Sequence, residues 1–192
     1  TFSPAVPMFD GTKPYQAVPF QFSLHVVRDG NAQPRHHSFL AKDTIDPRSA
    51  FLSSLRHSIP DSGSVIAYNK SFEEGVLKVL AETFVEHREW IEGILSRTVD
   101  LLVPFRKFHY YHPSQKGSAS IKRVLPAVTG VSYDSMLIPN GEEASIAFQT
   151  ATYGVTDEHI RTKVYEELEK YCCLDTEGMI WIVARLKELS VK

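Results

Sequence analysis

The stretch "EKYCCLDTEG", residues 169–178, puts a carboxylate where a hydrophobe belongs. Ile160, Val164, Leu168, Tyr171 or Cys172, Asp175, Met179, Ile182 and Leu186 recur at steps of three or four, the period of one helix face. On burial Asp175 loses its hydration, so it needs a proton, hydrogen bonds or a cation. A Lys or Arg nearby, the capping of a neighbouring helix, or a divalent metal at the mouth of a cleft would each supply the partner. Tyr171 lies four positions before Asp175, one turn away on the same face.

Two more acidic residues occupy positions suited to a site. In "YNKSFE", residues 68–73, a short apolar strand gives way to a helix, and the carboxyl ends of strands in α/β sheets are where ligands collect. Asn69 and Glu73 stand at that junction, although a turn position explains Asn69 and the positive end of a helix dipole explains Glu73 equally well. Asp100, in the apolar run "TVDLLV", can begin a strand, pair with a base or orient a site residue.

The elements that would position these residues are legible in outline. Phe20, Phe22, Leu24 and Val26 alternate with Gln21, Ser23 and His25, which predicts a half-buried strand. "RDGN", residues 28–31, predicts a hairpin turn into a second strand around residues 37–40. Asp46 as N-cap and Pro47 at the first helical position open a helix with Phe51, Leu52 and Leu55 on one face. A short strand in "DSGSVIAYN" precedes a second helix, for which Ser71 and Glu74 make a capping box. Trp90, Ile91, Ile94 and Leu95 continue a helical pattern before strand-like "TVDLLV". A short helix near residues 120–128, an irregular stretch through "MLIPNGEEAS" and a long helix from about Asp157 complete the chain. Strands alternating with helices after a hairpin predict an α/β domain with a mixed sheet.

Residues 101–133 contain no Asp or Glu, whereas Arg106, Lys107, Lys116, Lys122 and Arg123 alternate with Phe105, Phe108, Tyr110 and Tyr111. That is the one charge asymmetry in the chain. It reads as a mixed surface loop with core aromatics, or as a contact surface for a phosphate-bearing strand.

Taken in order, Asn-x-x-Phe-Glu, an Asp in an apolar strand 27 positions after Glu73, and Tyr-x-x-x-Asp on a late helix resemble the motif order of the DEDD superfamily of 3'-5' exonucleases. The intervening segments "TFSPAVPMFDGTKPYQAVPFQFSLH", "VIAYNKSFE", "VDLLVPFRKFHYYHPSQKGSASIKRVLPAV" and "YCCLDTEGM" resemble a largely uncharacterised bacterial domain family of that superfamily across nearly the whole chain. The resemblance implies a ribonuclease H-like fold and two Mg²⁺ or Mn²⁺ ions held by four carboxylates. On it, Glu73 takes the third acidic position, where the superfamily usually has Asp, and Asp175 the fourth. Tyr171 orients the attacking water, while Asn69 and Asp100 support the ligands. Arg106, Lys107, His112, Lys116, Ser118, Ser120 and Lys122 become contacts to a single-stranded DNA or RNA 3' end. Relatives place Asp-x-Glu just before "TF", so this single domain, residues 1–192, is expected to be a fragment of a longer protein, inactive alone and accompanied by a further nuclease domain. The alternative is a non-catalytic nucleic-acid-binding or interaction module of a larger nuclease.

The composition sets limits on these readings. With 192 residues, 43% hydrophobic and 23% charged, the chain has enough apolar content for one proper core. A net charge of -2 excludes a generally polycationic nucleic-acid binder and leaves room for a local basic patch. Cys172 and Cys173, the only cysteines, diverge by about 100° on a helix and cannot readily bridge, which fits a reducing, cytoplasmic setting. No apolar run approaches the ~20 residues of a membrane span.

Overall fold

A computed structural model describes residues 1–28, 33–154 and 157–190. Two small sheets, one antiparallel and one parallel, are flanked by helices. The antiparallel sheet pairs β1 (Gln21–Val26) with β2 (Arg35–Leu40), and His25 lies opposite His36 in its register. Of the expected turn, residues 29–31 lie outside the described residues. The parallel sheet pairs β3 (Val65–Ala67) with β4 (Thr98–Asp100), setting Ala67 beside Asp100. Helices α1 (Arg48–Ser58), α2 (Lys70–Thr83) and α3 (Arg88–Ser96) belong to this half of the chain. They are followed by the short α4 (Val103–Arg106), then α5 (Ile121–Thr129), α6 (Gly141–Gln149) and the long α7 (Glu158–Ser190).

The alternation in β1 has its expected apolar side, but both faces of the strand are covered. Phe22 and Leu24 pack with Phe51, Leu52, Leu80, Ile91 and Ile94 of α1, α2 and α3. The polar face turns to α7: the Gln21 amide donates to the Leu168 carbonyl at 2.8 Å, and Thr176 Oγ1 lies 2.7 Å from Ser23 Oγ and 2.9 Å from His25 Nδ1. A second core joins Phe2, Val18 and Phe20 to Phe148, Tyr165 and Leu168, with Phe20 and Phe148 stacked at 3.8 Å. A third joins Leu101, Phe105, Val124, Leu125 and Tyr133 to Ile182 of α7.

Several element boundaries differ from the expectation, each for a local reason. The capping box at Ser71 and Glu74 is absent. Asn69, left-handed at φ 70°, is the N-cap of α2 and makes no side-chain cap bond, and Glu74 instead pairs with Lys70 at 3.1 Å and Lys78 at 3.4 Å. Pro47, not Asp46, is the N-cap of α1, although Asp46 Oδ1 still accepts from the Arg48 N–H at 3.0 Å. The strand in "TVDLLV" stops at Asp100, because its carboxylate accepts from the Leu102 N–H at 2.9 Å and turns the chain into α4. The stretch "NGEEAS" is helical: Asn140 Oδ1 caps the Glu143 N–H at 2.9 Å and opens α6, which runs into a π-helical turn at Thr150–Gly154. Asp157 Oδ1 accepts from the N–H groups of His159 and Ile160 and starts α7 close to the expected place.

Where α7 crosses α5, Gly178 is buried, and a Cβ there would stand 2.9 Å from Leu125 Cδ2. Leu125 is fully buried and has little room to yield. Gly178→Val is therefore expected to lower the unfolding free energy by about 2 kcal/mol, the usual cost of overpacking a core. Gly93 in α3 is exposed and has nothing within 4 Å of its built Cβ, so Gly93→Ala should raise stability by about 0.5–1 kcal/mol. Urea unfolding of both variants checks the pair, and a neutral Gly178→Val would show that the crossing tolerates separation.

Candidate carboxylate cleft

Between the two sheets lies a cavity of about 630 Å³. Residues of β1 and β3 line it, and among the described residues each of these strands pairs on one side only, with β2 or with β4. Phe22, Leu24, Leu77 and Met179 form part of an apolar wall, while Glu73 from the first turn of α2 and Asp175 from the middle of α7 bring carboxylates to it. Tyr171 lines the same cavity, as its position one turn before Asp175 requires.

Asp175 is held by protein groups. The Tyr133 hydroxyl donates to Oδ1 at 2.6 Å, and the Tyr171 hydroxyl lies near enough to favour the ionised carboxylate. Lys122 adds positive charge, its Nζ standing 5.5 Å from the Tyr133 ring centroid and 5.1 Å from that of Tyr171. Burial nevertheless dominates and pushes the Asp175 carboxyl above its ordinary value, against those hydroxyls and the lysine. The two tyrosines are pushed up as well, first by burial and then by the Asp175 charge. They remain hydroxyl donors at neutral pH.

Glu73 has a backbone hydrogen bond in its favour but no tyrosine or lysine partner. Its residue is exposed at the cleft mouth, yet desolvation around its carboxyl, with the charges of Asp100 and Asp175 adding to it, pushes it up to about 7. Asp100, at the end of β4, accepts from the Asn69 N–H at 3.1 Å as well as from Leu102. It thereby ties the left-handed Asn69 to the parallel sheet and fixes the turn from which Glu73 rises, and the Ser71 hydroxyl donates to Asn69 Oδ1 at 3.0 Å. The three acids thus share one electrostatic environment without closing into a tight cluster. Among the described residues, the one set of three His, Cys, Asp or Glu ligand atoms within 4.8 Å of each other is elsewhere, at His25, His36 and Cys173.

The basic segment divides into inward and outward parts. Arg106 and Ser120 line a hollow of about 420 Å³ with Tyr68, Asn69 and Ile121, and both Tyr68 and Ile121 also line the main cavity. Lys107, His112 and Lys116 are exposed, with His112 engaged locally by Ser114 and Lys116 in a left-handed turn at φ 51°. Ser118 accepts from the Ser120 N–H at 3.2 Å and is spent on the entry to α5. Lys122 points inward, toward Asp175 and the Pro139 carbonyl, because α5 presents it to α7. Sequence reasoning missed Tyr133: it lies 42 positions before Asp175, outside any helical spacing that would link the two.

Desolvation of the Glu73 carboxyl, with its negative neighbours adding to it, makes stability depend on pH. Its carboxyl titrates near 7 in the fold against an ordinary 4.5, so the folded chain binds that proton more tightly than the unfolded chain. Ionising it in place is penalised, and the metal-free protein should lose stability as pH rises from about 4.5 to about 7, then level off. Asp175, also raised, acts in the same direction. Urea midpoints of the metal-free protein at pH 5 and pH 8 should fall with pH, and Glu73→Gln should flatten that fall. An equal fall in the variant would place the penalty on other groups.

Comparison with known proteins adds family but not activity. The chain is 26% identical over 209 aligned residues to the "Uncharacterized protein MG366 homolog" of Mycoplasma pneumoniae (strain ATCC 29342 / M129). That similarity covers 98% of the chain and 31% of the relative, so the chain spans under a third of the relative's length. No solved structure matches. Residues 1–120, which hold Asn69, Glu73 and Asp100 but stop short of Tyr171 and Asp175, match the family described as "Domain of unknown function (DUF2779)", and the chain belongs to that family.

Proposed function

We propose that the cleft is the metal-binding half of a DEDD-type 3'-5' exonuclease site that hydrolyses nucleic-acid phosphodiesters in a ribonuclease H-like framework. The observation that carries this reading is the meeting of Glu73 and Asp175 on one cavity, with Asp100 close enough for its charge to act on Glu73. Negative charge gathers there faster than protein cations offset it, and the donors are hard carboxylate oxygens, a set that suits Mg²⁺ or Mn²⁺. Glu73 and Asp175 would hold the ions. When bound, a pair of such ions supplies an activated water and charge neutralisation on the leaving oxygen.

The chain's own residues do the positioning. Tyr133 fixes the Asp175 carboxylate by a hydrogen bond, with Tyr171 beside it, and Asp100 holds the Asn69 turn from which Glu73 projects. Tyr171 is the group we assign to orienting the attacking water. Arg106 and Ser120, on the hollow that adjoins the cleft, lie where phosphates of an incoming strand would pass, and exposed Lys107 and Lys116 extend that positive surface. The remaining ligands would come from an Asp-x-Glu strand preceding Thr1. A strand laid between the unpaired sides of β1 and β3 would deliver them to the same cavity, which Thr1 also lines.

A second reading is favoured by Lys122 and Tyr133, which compensate Asp175 without a metal. On it, the domain binds nucleic acid inside a larger nuclease and performs no chemistry. Cleavage of an end-labelled single strand by the parent protein, with the residues before Thr1 included, separates the two. Mn²⁺-dependent shortening from the 3' end is expected, and Glu73→Gln or Asp175→Asn should each reduce it at least about a hundredfold, ~2.7 kcal/mol of barrier. Salt-sensitive binding with no shortening would establish the binding module instead. Lys116→Gln should lower the slope of log affinity against log salt by about 0.7, the share of one phosphate contact on a single strand. Lys122→Gln should leave that slope unchanged, since its ammonium faces Asp175.

A further inference from the structure

Apart from the cleft, one cluster of ligand-type side chains is assembled from three separate elements. His25 of β1 and His36 of β2 are directly opposite in the hairpin register, and their rings stack at 4.5 Å with 26° between planes. Cys173 of α7 completes the group, each residue offering a ligand atom within 4.8 Å of the other two. We propose that His25, His36 and Cys173 bind a zinc ion that fastens the β1–β2 hairpin to α7.

The surroundings are those of ligating imidazoles. Ser23 Oγ lies 2.9 Å from His36 Nε2 and 2.7 Å from Thr176 Oγ1, which in turn lies 2.9 Å from His25 Nδ1. This chain of hydroxyls orients both rings and engages one nitrogen of each, and such outer partners characteristically hold a metal-binding His in a single tautomer. Cys173, Thr176 and Glu177 lie at i, i+3 and i+4, so the thiol, the orienting hydroxyl and a carboxylate share one face of α7. A water is suited to the fourth position, as in zinc sites with three protein ligands.

The donor set selects the ion. One thiolate and two imidazoles favour a borderline-soft cation such as Zn²⁺, whereas Mg²⁺ and Mn²⁺ prefer the oxygen donors of the cleft. Bonds of about 2.0–2.3 Å require the donors to draw a little closer than they stand, and the exposed His36 can rotate to do so. Both thiols are free, so Cys173 is chemically available.

The test uses the full chain, reduced and freed of metal, with Co²⁺ and Zn²⁺ as the probes. Cobalt should produce visible d–d bands of a tetrahedral ion and a near-ultraviolet thiolate charge-transfer band, and stoichiometric zinc should displace it. Cys173→Ser should remove the charge-transfer band, and His36→Gln, at an exposed position, should weaken zinc at least about tenfold. Cys172→Ala should leave both intact. Zinc should raise the melting temperature of the unmodified chain but not of Cys173→Ser. Glu73→Gln should bind zinc normally, which separates this site from the cleft and its proposed activity. Absence of the charge-transfer band, its survival in Cys173→Ser, or loss of zinc in Glu73→Gln would each overturn the proposal; should Cys173→Ser fail to fold, unchanged zinc affinity in His36→Gln does so alone.

Discussion

Everything in this domain depends on α7 serving the antiparallel sheet, two helices and the cleft at once. Its carbonyl at Leu168 accepts from Gln21, its hydroxyl at Thr176 meets Ser23 and His25, its bare Gly178 admits Leu125, and its Asp175 enters the cleft. These contacts fall within three turns and fix both the rotation and the axial position of the helix. A strand whose second face is polar would ordinarily meet water. Here α7 covers the polar face of β1 and hydrogen-bonds its side chains, which offsets the partial burial of Ser23 and His25.

The same rotation that satisfies β1 obliges a carboxylate to leave water. Tyr133, Tyr171 and Lys122 reduce the penalty at Asp175, and burial still outweighs them. Glu73 has a backbone hydrogen bond to set against burial, and its charged neighbours are more negative groups. The cleft therefore combines one acid that tyrosine and lysine partly compensate with another that has no such partner. This asymmetry distinguishes the arrangement from an ordinary buried ion pair, in which partners of opposite charge meet and hydrogen-bond.

Residues with strong local signals were legible in the sequence. The alternation of β1, the apolar stripes of α1 and α3, and the Asp157 start of α7 were all readable, because each is a property of neighbours in the chain. The spacing of Tyr171 and Asp175 was readable in the same way, whereas their sharing a cavity with Glu73 was expected only from the family resemblance. The errors arose where two local signals competed. Ser71 and Glu74 have capping-box spacing, but Lys70 and Lys78 flank Glu74 at one turn on either side and take its carboxylate, while Asn69 supplies the left-handed entry. In "NGEEAS" the Pro-Asn-Gly signal for a loop masked an Asn cap with Glu three residues on, the start of α6. The inward turn of Lys122, the Tyr133 bond and the His25–His36–Cys173 group rest on contacts between distant segments, and no periodicity carries them.

The bonds that join Gln21, Ser23 and His25 to α7 span 147, 153 and 151 positions of the chain. Contacts so remote in sequence close late, since the loop entropy must be lost before they form. During synthesis, the hairpin, α1, α2, α3 and the parallel pair can all assemble on the ribosome while the polar face of β1 is still wet and Glu73 faces an open gap. Only when the last quarter of the domain emerges does Asp175 arrive opposite Glu73. A nascent chain therefore carries no finished cleft, and whatever the cleft does begins with the docking of that final helix.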